Sequence, residues 1–355
     1  MRAVGERVGS RRRLVIAIVA AVLVIAAATL AVVFGRGDGD EAEPPPPPEP
    51  APAALLPLLG TPGSVPDRAA LAVKIDDTER GRPQSGLAEA DVVFEEMVEG
   101  GLTRLLAVYQ SRDPDTVGPV RSARSTDLSI LDELGRPLFA WSGANPTFAA
   151  AVRAADIVDV GARAAPDAYR RADDRPAPYN LYAAPDLLRD AGAADPAATT
   201  PPEPLFAYRE AGEPLAGPGA EPATGFRTGA GTLATEIEWS WGADGEAWER
   251  NQDGTPHLDS AGEPVRAANV IVRFTPYRDS GVRDSSGAVV PEAEAVGEGD
   301  AWLLSDGRAQ PGRWHKPSAE AVTTYTDSAG QPLRLAPGTT WVEVLPPGSG
   351  EIVRP

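Results

Sequence analysis

Residues 91–110 read DVVFEEMVEGGLTRLLAVYQ, and the distribution of apolar side chains in this stretch predicts a β-hairpin. Phe94 and Val98 fall on one face of the first strand, and Gly100-Gly101 supplies the turn. On the returning strand, one face carries the apolar side chains Leu102, Leu106 and Val108. The hairpin is therefore the first β-sheet element of the predicted fold.

The sequence on either side of the hairpin alternates short strands with short helices. Two strands are predicted, LAVKI (71–75) and PLFAWSG (137–143). Two helices are predicted, STDLSILDEL (125–134) and PTFAAAVRAA (146–155). Ser125 or Thr126 is the expected N-cap of the first helix, because a hydroxyl oxygen accepts from the free N–H groups of the first turn. This alternation predicts a mixed α/β domain over residues 67–198.

The amino-acid composition of the chain changes after this domain. Residues 199–232 are rich in Pro, Ala and Gly, which predicts a linker or a long surface loop. Residues 233–348 contain short apolar runs separated by turn residues, which predicts a smaller β-rich domain. The predicted fold class is therefore α+β, with an N-terminal transmembrane helix placed before the two domains.

The expected transmembrane helix is an uncharged run over residues 14–34. At ~1.5 Å per residue, a helix of this length spans the ~30 Å hydrocarbon layer of a bilayer. A cleaved signal peptide is the weaker alternative, because its apolar region is usually only ~7–15 residues long. Three arginines precede the run and acidic residues follow it, so we expect residues 1–13 to form a cytoplasmic tip and the rest to lie outside the cell membrane. Residues 35–66, which include five consecutive prolines, are expected to form a stiff linker.

The composition excludes several classes of function. The chain of 355 residues has no cysteine, so disulfides, thiolate metal sites, a cysteine nucleophile and a lipidated cysteine are excluded. It has only two histidines, and we expect no metal and no cofactor. The formal net charge of −18 disfavours nucleic acid as a partner, because the acidic body repels phosphates.

A short loop supplies the first candidate site. Residues 118–126 read GPVRSARST, and Arg121 and Arg124 stand just before the first predicted helix. Arginine forks beside a helix N-terminus suit a phosphate or carboxylate ligand. The alternative is that each arginine pairs with one of the many Asp and Glu side chains and stabilises the loop.

Three further groups complete the candidate ligand-binding residues: Arg104 on the returning strand of the hairpin, the acids Asp76 and Glu95, and Asn180. Asp76, at a strand end, and Glu95, within the hairpin, would bind a divalent cation or act as a general base. The alternative for Glu95 is an ion pair with Arg104 across the hairpin. Asn180, in PYNLY (178–182), lies between two tyrosines that would stack on a sugar, although packing of the loop explains the same pattern.

Long motifs in the sequence resemble the DUF3048 family. They are RPQSGLAEADVVFEEMVEGGLTR, VGPVRSAR and PYNLY in the first half and SDGRAQPGRWHK and GTTWVEVLP in the second. The resemblance covers residues 68–348 and implies a two-domain protein of the cell envelope, but no function, since none is assigned to the family. Family members are anchored by a lipidated cysteine, whereas here a transmembrane helix is expected. Asp77 replaces a common asparagine and Tyr179 a common histidine, which disfavours proton transfer at that position.

The sequence leaves three functions open. The first is a single-pass, extracytoplasmic protein of the cell membrane that binds an anionic envelope component through the arginine loop. The second is a phosphoryl or glycosyl transferase that acts on cell-wall precursors. The third is a non-enzymatic partner in an envelope complex. Nothing in the motifs decides whether the protein is an enzyme.

Overall fold

The computed structural model of the protein describes residues 54–229, 233–284 and 286–355. The expected cytoplasmic tip, the expected transmembrane helix and most of the Pro-rich linker lie outside the described residues, so their prediction stays a prediction. Of the helices within the described residues, none combines the length and the apolar character needed to cross a membrane.

The first half of the described chain contributes short strands and all three α-helices of the described residues. The strands are β1 (Leu71–Asp76), β2 (Val92–Met97), β3 (Thr103–Tyr109), β4 (Leu138–Ala140), β5 (Val158–Asp159), β6 (Tyr169–Arg171) and β7 (Leu181–Ala183). The α-helices are α1 (Ser125–Leu131), α2 (Pro146–Ala154) and α3 (Pro185–Gly192). Single 3₁₀ turns cover Leu87–Glu89, Glu99–Gly101, Asp132–Leu134, Pro166–Ala168 and Pro196–Thr199.

The second half consists of strands. They are β8 (Ala207–Tyr208), β9 (Glu221–Pro222), β10 (Gly225–Thr228), β11 (Ile237–Trp241), β12 (Trp248–Gln252), β13 (Thr255–Pro256), β14 (Arg266–Ala267), β15 (Asn269–Phe274), β16 (Tyr277–Arg283), β17 (Val289–Ala293), β18 (Gly297–Ser305), β19 (Arg308–Lys316), β20 (Thr324–Thr326), β21 (Arg334–Leu335), β22 (Thr340–Leu345) and β23 (Gly350–Val353). The mixed α+β class, with few helices and many strands, is confirmed.

One eleven-stranded sheet runs through both halves of the chain. Its order is β20-β19-β18-β15-β22-β2-β3-β1-β4-β5, with β9 added on β19. Strand β22 lies between β15 and β2 and is parallel to both. A second sheet contains β13-β12-β11-β10-β23, with β14 added on β12. Three two-stranded ribbons, β16-β17, β8-β21 and β6-β7, complete the topology.

Both faces of the main sheet are covered, because β1 and β3 are buried along their whole length. On one face, side chains such as Val73, Leu105 and Trp341 share a core with the second sheet through Phe226 and Trp239. On the other face, a core that contains Phe94, Leu106 and Val342 includes the helix side chains Ile130 and Val152. Burial of each large apolar side chain contributes about 1.5–3 kcal/mol, so these two layers hold the sheet in place.

The predicted hairpin is present as β2 and β3, with Phe94 opposite Leu106 and Val92 opposite Val108. Gly100 and Gly101 have positive φ angles of 71° and 74°, a conformation that side chains other than glycine rarely adopt. Leu102 differs from the prediction, because it lies in the turn and is 39% exposed.

The helices begin where the sequence placed them, but the expected cap of α1 is wrong. Arg124 is the N-cap residue, and its N–H donates to Asp127 Oδ2 at 2.7 Å. For α2, Asn145 accepts from the Thr147 N–H, and Pro146 occupies the first helical position. Within residues 199–232, which were expected to be a linker or loop, the described part contains β8, β9 and β10.

The main sheet joins the two segments that were expected to form separate domains. The sequence boundaries of these domains stay a prediction. Five register pairs join β2 of the first segment to β22 of the second, from Val92–Thr340 to Glu96–Val344. Separation of the segments would leave these backbone groups unpaired, and buried unpaired N–H and C=O groups are costly.

A cut in the exposed turn at residues 210–214 tests this dependence. After insertion and cleavage of a protease site there, we expect the two fragments to elute together from a sizing column. After separation in denaturant, the first fragment alone should lose its cooperative thermal transition, which circular dichroism measures. The uncut protein with the same insertion is the control, and two fragments that elute apart and each melt cooperatively would contradict a shared fold.

Candidate functional site

A cavity of about 590 Å³ opens beside the end of the hairpin, and we call it the arginine cleft. Its walls carry four arginines and two acids, together with Asn145: Arg104, Arg121, Arg124, Arg283, Glu99 and Asp284. Arg104 belongs to β3, Arg121 and Arg124 belong to the loop before α1, and Asn145 caps α2. Arg283 belongs to the ribbon β16-β17, so both halves of the chain line the cleft.

The arginine loop is held against the end of β1 by backbone hydrogen bonds. The Arg121 N–H donates to Lys74 O at 2.8 Å, and the Asp76 N–H donates to Pro119 O at 2.9 Å. Gly118 has a φ of 146°, and a Cβ atom there would meet Leu181 O at 2.9 Å. A larger residue at this position would therefore displace the loop that carries the arginines.

The two loop arginines are both paired with carboxylates. The Arg121 side chain forms an ion pair with Asp76, whose side chain is fully buried. Arg124 makes a bidentate contact with Glu99, with Nε–Oε1 at 2.7 Å and Nη2–Oε2 at 2.9 Å. These contacts match the structural alternative that the sequence left open, and they compensate two of the positive charges in the cleft.

Arg104 is the uncompensated cation. It is 8% exposed, and its Nη1 donates to Ser122 O at 3.1 Å. In the part of the chain that the structure describes, no carboxylate lies within ion-pair distance of it. Burial lowers the pKa of Arg104 to about 10, the neighbouring charges of Arg124 and Arg121 add to this effect, and the charges of Glu99 and Asp76 offset part of it. A buried cation without a counter-ion is costly, so an anion in the cleft would be favoured.

The nearest acid across the hairpin is already occupied. Arg104 faces Glu96 in the register of β2 and β3. Lys74 Nζ forms an ion pair with the Glu96 carboxylate at 2.5 Å and with that of Asp127 at 2.8 Å. All three side chains are fully buried. Burial and the Asp127 charge raise the pKa of Glu96 to about 7. The arrangement therefore leaves Arg104 directed toward the cavity.

The far wall of the cleft comes from α2 and the ribbon β16-β17. Asn145 Oδ1 caps α2, while its Nδ2 donates to Arg283 O at 3.3 Å. Pro146 and Phe148, in the first turn of α2, also line the cavity. The positive end of the α2 dipole thus adds to the arginine charges.

The expected site residues divide into two groups. Arg104, Arg121 and Arg124 line the cleft, and Asp76 stands behind Arg121. Asn180 does not line it: its Oδ1 accepts from Arg171 Nη1 at 2.7 Å, and its Nδ2 donates to Ala172 O at 2.9 Å. The neighbouring Tyr179 ring lies 5.5 Å from the Arg121 guanidinium carbon.

Glu95 lies on the opposite face of the sheet, in a buried acidic cluster formed by Asp77, Glu95, Glu343 and Arg250. Arg250 Nη2 contacts Glu95 Oε1 at 2.7 Å and Asp77 Oδ2 at 3.3 Å. Asp77, rather than Asp76, therefore meets Glu95, and Arg250, rather than Arg104, pairs with it. All four side chains are fully buried.

Three acids and one arginine leave this cluster with more carboxyl groups than cations. Burial raises the pKa of Asp77, Glu95 and Glu343 to about 7 each, and Arg250 only partly offsets this effect. His257 Nδ1 lies 2.6 Å from Arg250 Nη1, and its Nε2 lies 2.7 Å from Gln84 Oε1. An Nδ1 that accepts and an Nε2 that donates belong to a neutral imidazole, and burial lowers the pKa of His257.

Sequence reasoning missed Glu99, Asn145 and Arg283. The Asn-Pro dipeptide at residues 145–146 is a helix-start signal that would have placed Asn145. No local signal connects Arg283 to a loop about 160 residues earlier. Among the described residues, no group of three or more potential metal ligands is arranged to hold an ion.

Comparisons with known proteins find two matching family models, a similar sequence and a similar structure. The family model "Protein of unknown function (DUF3048) N-terminal domain" matches residues 58–198, and the corresponding C-terminal domain model matches residues 230–342. "Putative lipoprotein YerB" of Bacillus subtilis is 28% identical over 302 residues, which are 82% of this chain and 86% of that protein. The crystal structure of the Bacillus subtilis YerB protein superposes with a TM-score of 0.71 at 24% identity, covers 84% of this chain and 99% of its own, and supports the fold.

The ion pairs in the arginine cleft predict that two similar substitutions differ in their effect on the free energy of unfolding. Arg124→Met leaves Glu99 buried without its partner and should lower the free energy of unfolding by about 3–5 kcal/mol. Arg104→Met removes a cation that has no carboxylate partner, and Ser122 O keeps its bond from Arg124. We therefore expect Arg104→Met to change stability by less than about 1 kcal/mol or to raise it. Urea unfolding measures both, and an equal loss in the two variants would contradict the assignment.

The buried acidic cluster predicts a pH-dependent stability. An acid whose pKa rises from 4.5 to about 7 on folding stabilises the folded state below pH 4.5, and this contribution is lost as the pH rises through 7. Glu343→Gln imitates the protonated acid and still accepts from Trp239 Nε1. Between pH 5 and 8 we expect the wild-type protein to lose stability relative to this variant, at up to about 1.4 kcal/mol per pH unit.

The control for this measurement is Glu238→Gln, because Glu238 is exposed on β11. Its unfolding free energy should follow that of the wild-type protein across the same pH range. Parallel curves for wild type and Glu343→Gln would show that Glu343 has no raised pKa.

Proposed function

The chain belongs to the DUF3048 family, and from that premise we propose that it is a membrane-attached protein of the cell envelope that binds an anionic ligand through the arginine cleft. One observation carries the binding proposal: Arg104 is 8% exposed and lines an open cavity without a carboxylate partner among the described residues. Buried charges in proteins are normally paired or neutralised. A ligand anion would supply the missing partner.

The surroundings of Arg104 favour a phosphate or carboxylate group. A guanidinium presents several N–H donors in a planar fork, which matches both groups. Arg121 and Arg124 raise the local positive potential even though each has a carboxylate partner. The chain as a whole carries a formal charge of −18 and repels anions, so binding depends on this local group of arginines.

The proposal of membrane attachment has two supports. Residues 14–34 are uncharged and long enough to span a bilayer, and the arginines before them favour a cytoplasmic N-terminus. The similar Bacillus subtilis protein bears the name lipoprotein. Since this chain has no cysteine, its attachment would use the apolar segment instead of a lipid. The two other functions, a transferase and a non-enzymatic partner in an envelope complex, stay hypotheses. No contact in the cleft favours either of them over the binding of an anion.

Titration calorimetry with inorganic pyrophosphate at low salt tests the binding proposal. We expect the protein of residues 54–355 to bind this probe, and Arg104→Met to weaken binding about 10- to 100-fold. The reason is the loss of a charge-assisted interaction worth about 1.5–3 kcal/mol.

The charge-matched control is Arg313→Met. Arg313 is exposed on β19, and its ion pairs among the described residues are with Glu298 and Asp300, away from the cleft. It should bind the probe as the wild-type protein does. Absence of binding to the wild-type protein, or equal binding by wild type and Arg104→Met, would overturn the proposal.

A further inference from the structure

A second cavity adjoins the arginine cleft, and we call it the tryptophan pocket. Its volume is about 500 Å³, and its walls include Trp141, Arg153, Asp159 and Arg163. Ala144 and Pro146 line both cavities, so one short segment forms a wall that the two share. The walls are also tied by a hydrogen bond from the Ser142 N–H to Arg121 O at 2.9 Å. The two cavities therefore lie side by side. A ligand bound in both would have to pass over this segment.

Helix α2 presents different residues to the two cavities. Pro146 and Phe148, in its first turn, face the arginine cleft. Pro146, Ala149 and Arg153 follow one face of the helix and line the tryptophan pocket. The first turn of the helix thus lies beside both cavities, and the tryptophan pocket continues along the helix.

The polar groups of the tryptophan pocket have unused hydrogen-bonding capacity. Asp159 Oδ1 accepts from Trp141 Nε1 at 2.8 Å and from the Gly161 N–H at 2.9 Å. Within the described residues, Asp159 Oδ2 has no hydrogen-bond partner, and the exposed Arg153 and Arg163 have no carboxylate partner. The pocket therefore offers one carboxylate acceptor and two guanidinium donors to a ligand.

The backbone at Gly161 passes close to the Trp141 indole. A Cβ atom on Gly161 would lie 2.5 Å from Trp141 Nε1 and 3.0 Å from Asp159 Oδ1. Only glycine therefore allows the chain to pass this close to the indole while Asp159 keeps its position. Trp141 is 7% exposed, so only a small part of its ring is presented to a ligand.

These features distinguish between the groups that would occupy the pocket. An acyl chain is disfavoured, because it would desolvate Asp159 and two arginines without hydrogen bonds. A nucleobase is disfavoured, because stacking needs an exposed aromatic face. A sugar ring fits, since its hydroxyl groups both donate and accept, and its C–H groups pack on the exposed part of the indole.

We propose that the ligand is a glycosyl phosphate, whose phosphate lies in the arginine cleft and whose sugar ring lies in the tryptophan pocket. This inference rests on the proposed anion-binding function. It adds the chemical class of the ligand and assigns the recognition of the sugar to Asp159, Arg153 and Arg163.

Calorimetric titration with two phosphate monoesters tests the inference. Glucose 1-phosphate carries a sugar ring, and glycerol 3-phosphate has the same charge without a ring. We expect glucose 1-phosphate to bind about tenfold more tightly, because only its ring reaches the tryptophan pocket. Asp159→Asn and Arg163→Ala should each remove most of this preference and leave the affinity for glycerol 3-phosphate unchanged.

Asp167→Asn is the matched control, because Asp167 is exposed and does not line either cavity. Arg163→Ala changes an exposed side chain, so it keeps the test open if Asp159→Asn disturbs the Trp141 contact. Equal affinity of wild type for the two monoesters, or an unchanged preference in both variants, would overturn the sugar assignment while the anion site stands. If neither monoester nor pyrophosphate binds, the anion site itself fails.

Discussion

The parallel pairing of β2 with β22 places Glu95 beside Glu343 in the interior, where neither carboxyl group reaches water. Arg250 of the second sheet makes this pairing tolerable, because it contacts Glu95 through two nitrogen atoms. The arrangement joins three parts of the chain: the hairpin, the last strand of the main sheet and the second sheet. Loss of Arg250 would leave the buried carboxyl groups of this cluster without a cation, and such a loss typically costs several kcal/mol. The main sheet therefore depends on both halves of the chain at once.

The same hairpin determines the arginine cleft through its other face. Side chains alternate along a strand, so Glu95 and Leu105 point toward the second sheet, whereas Glu96 and Arg104 point toward α1. Lys74 forms ion pairs with Glu96 and Asp127. Arg124 forms one with Glu99, and Arg121 forms one with Asp76. Each of these acids close to Arg104 thus pairs with another cation. Arg104 is unpaired because its acidic neighbours form ion pairs with other cations, and not because the chain lacks acids.

The sequence predicts the local features of this structure well, because they depend on local signals. The hairpin follows from the alternation around Gly100-Gly101, and α2 follows from its apolar spacing and the Asn145-Pro146 start. The partners of the charged residues depend instead on register and on distant strands. A shift of one position separates Asp76, which pairs with Arg121, from Asp77, which meets Glu95. The pairing of β2 with β22 joins residues about 250 apart, and no turn or period in the sequence specifies it.

An uncompensated cation in the folded state has a thermodynamic consequence for binding. Burial beside Arg121 and Arg124 disfavours the charged form of Arg104, and this lowers the stability of the folded state. Under the proposed function, an anion would relieve this repulsion, and its binding would stabilise the folded state by about 2.7 kcal/mol at a concentration of 100 times its dissociation constant. Arg121 and Arg124 gain less from the anion, because Asp76 and Glu99 already offset their charges. Under the proposed function, Arg104 would therefore determine whether the cleft binds an anion, and the paired loop arginines would determine where that anion lies.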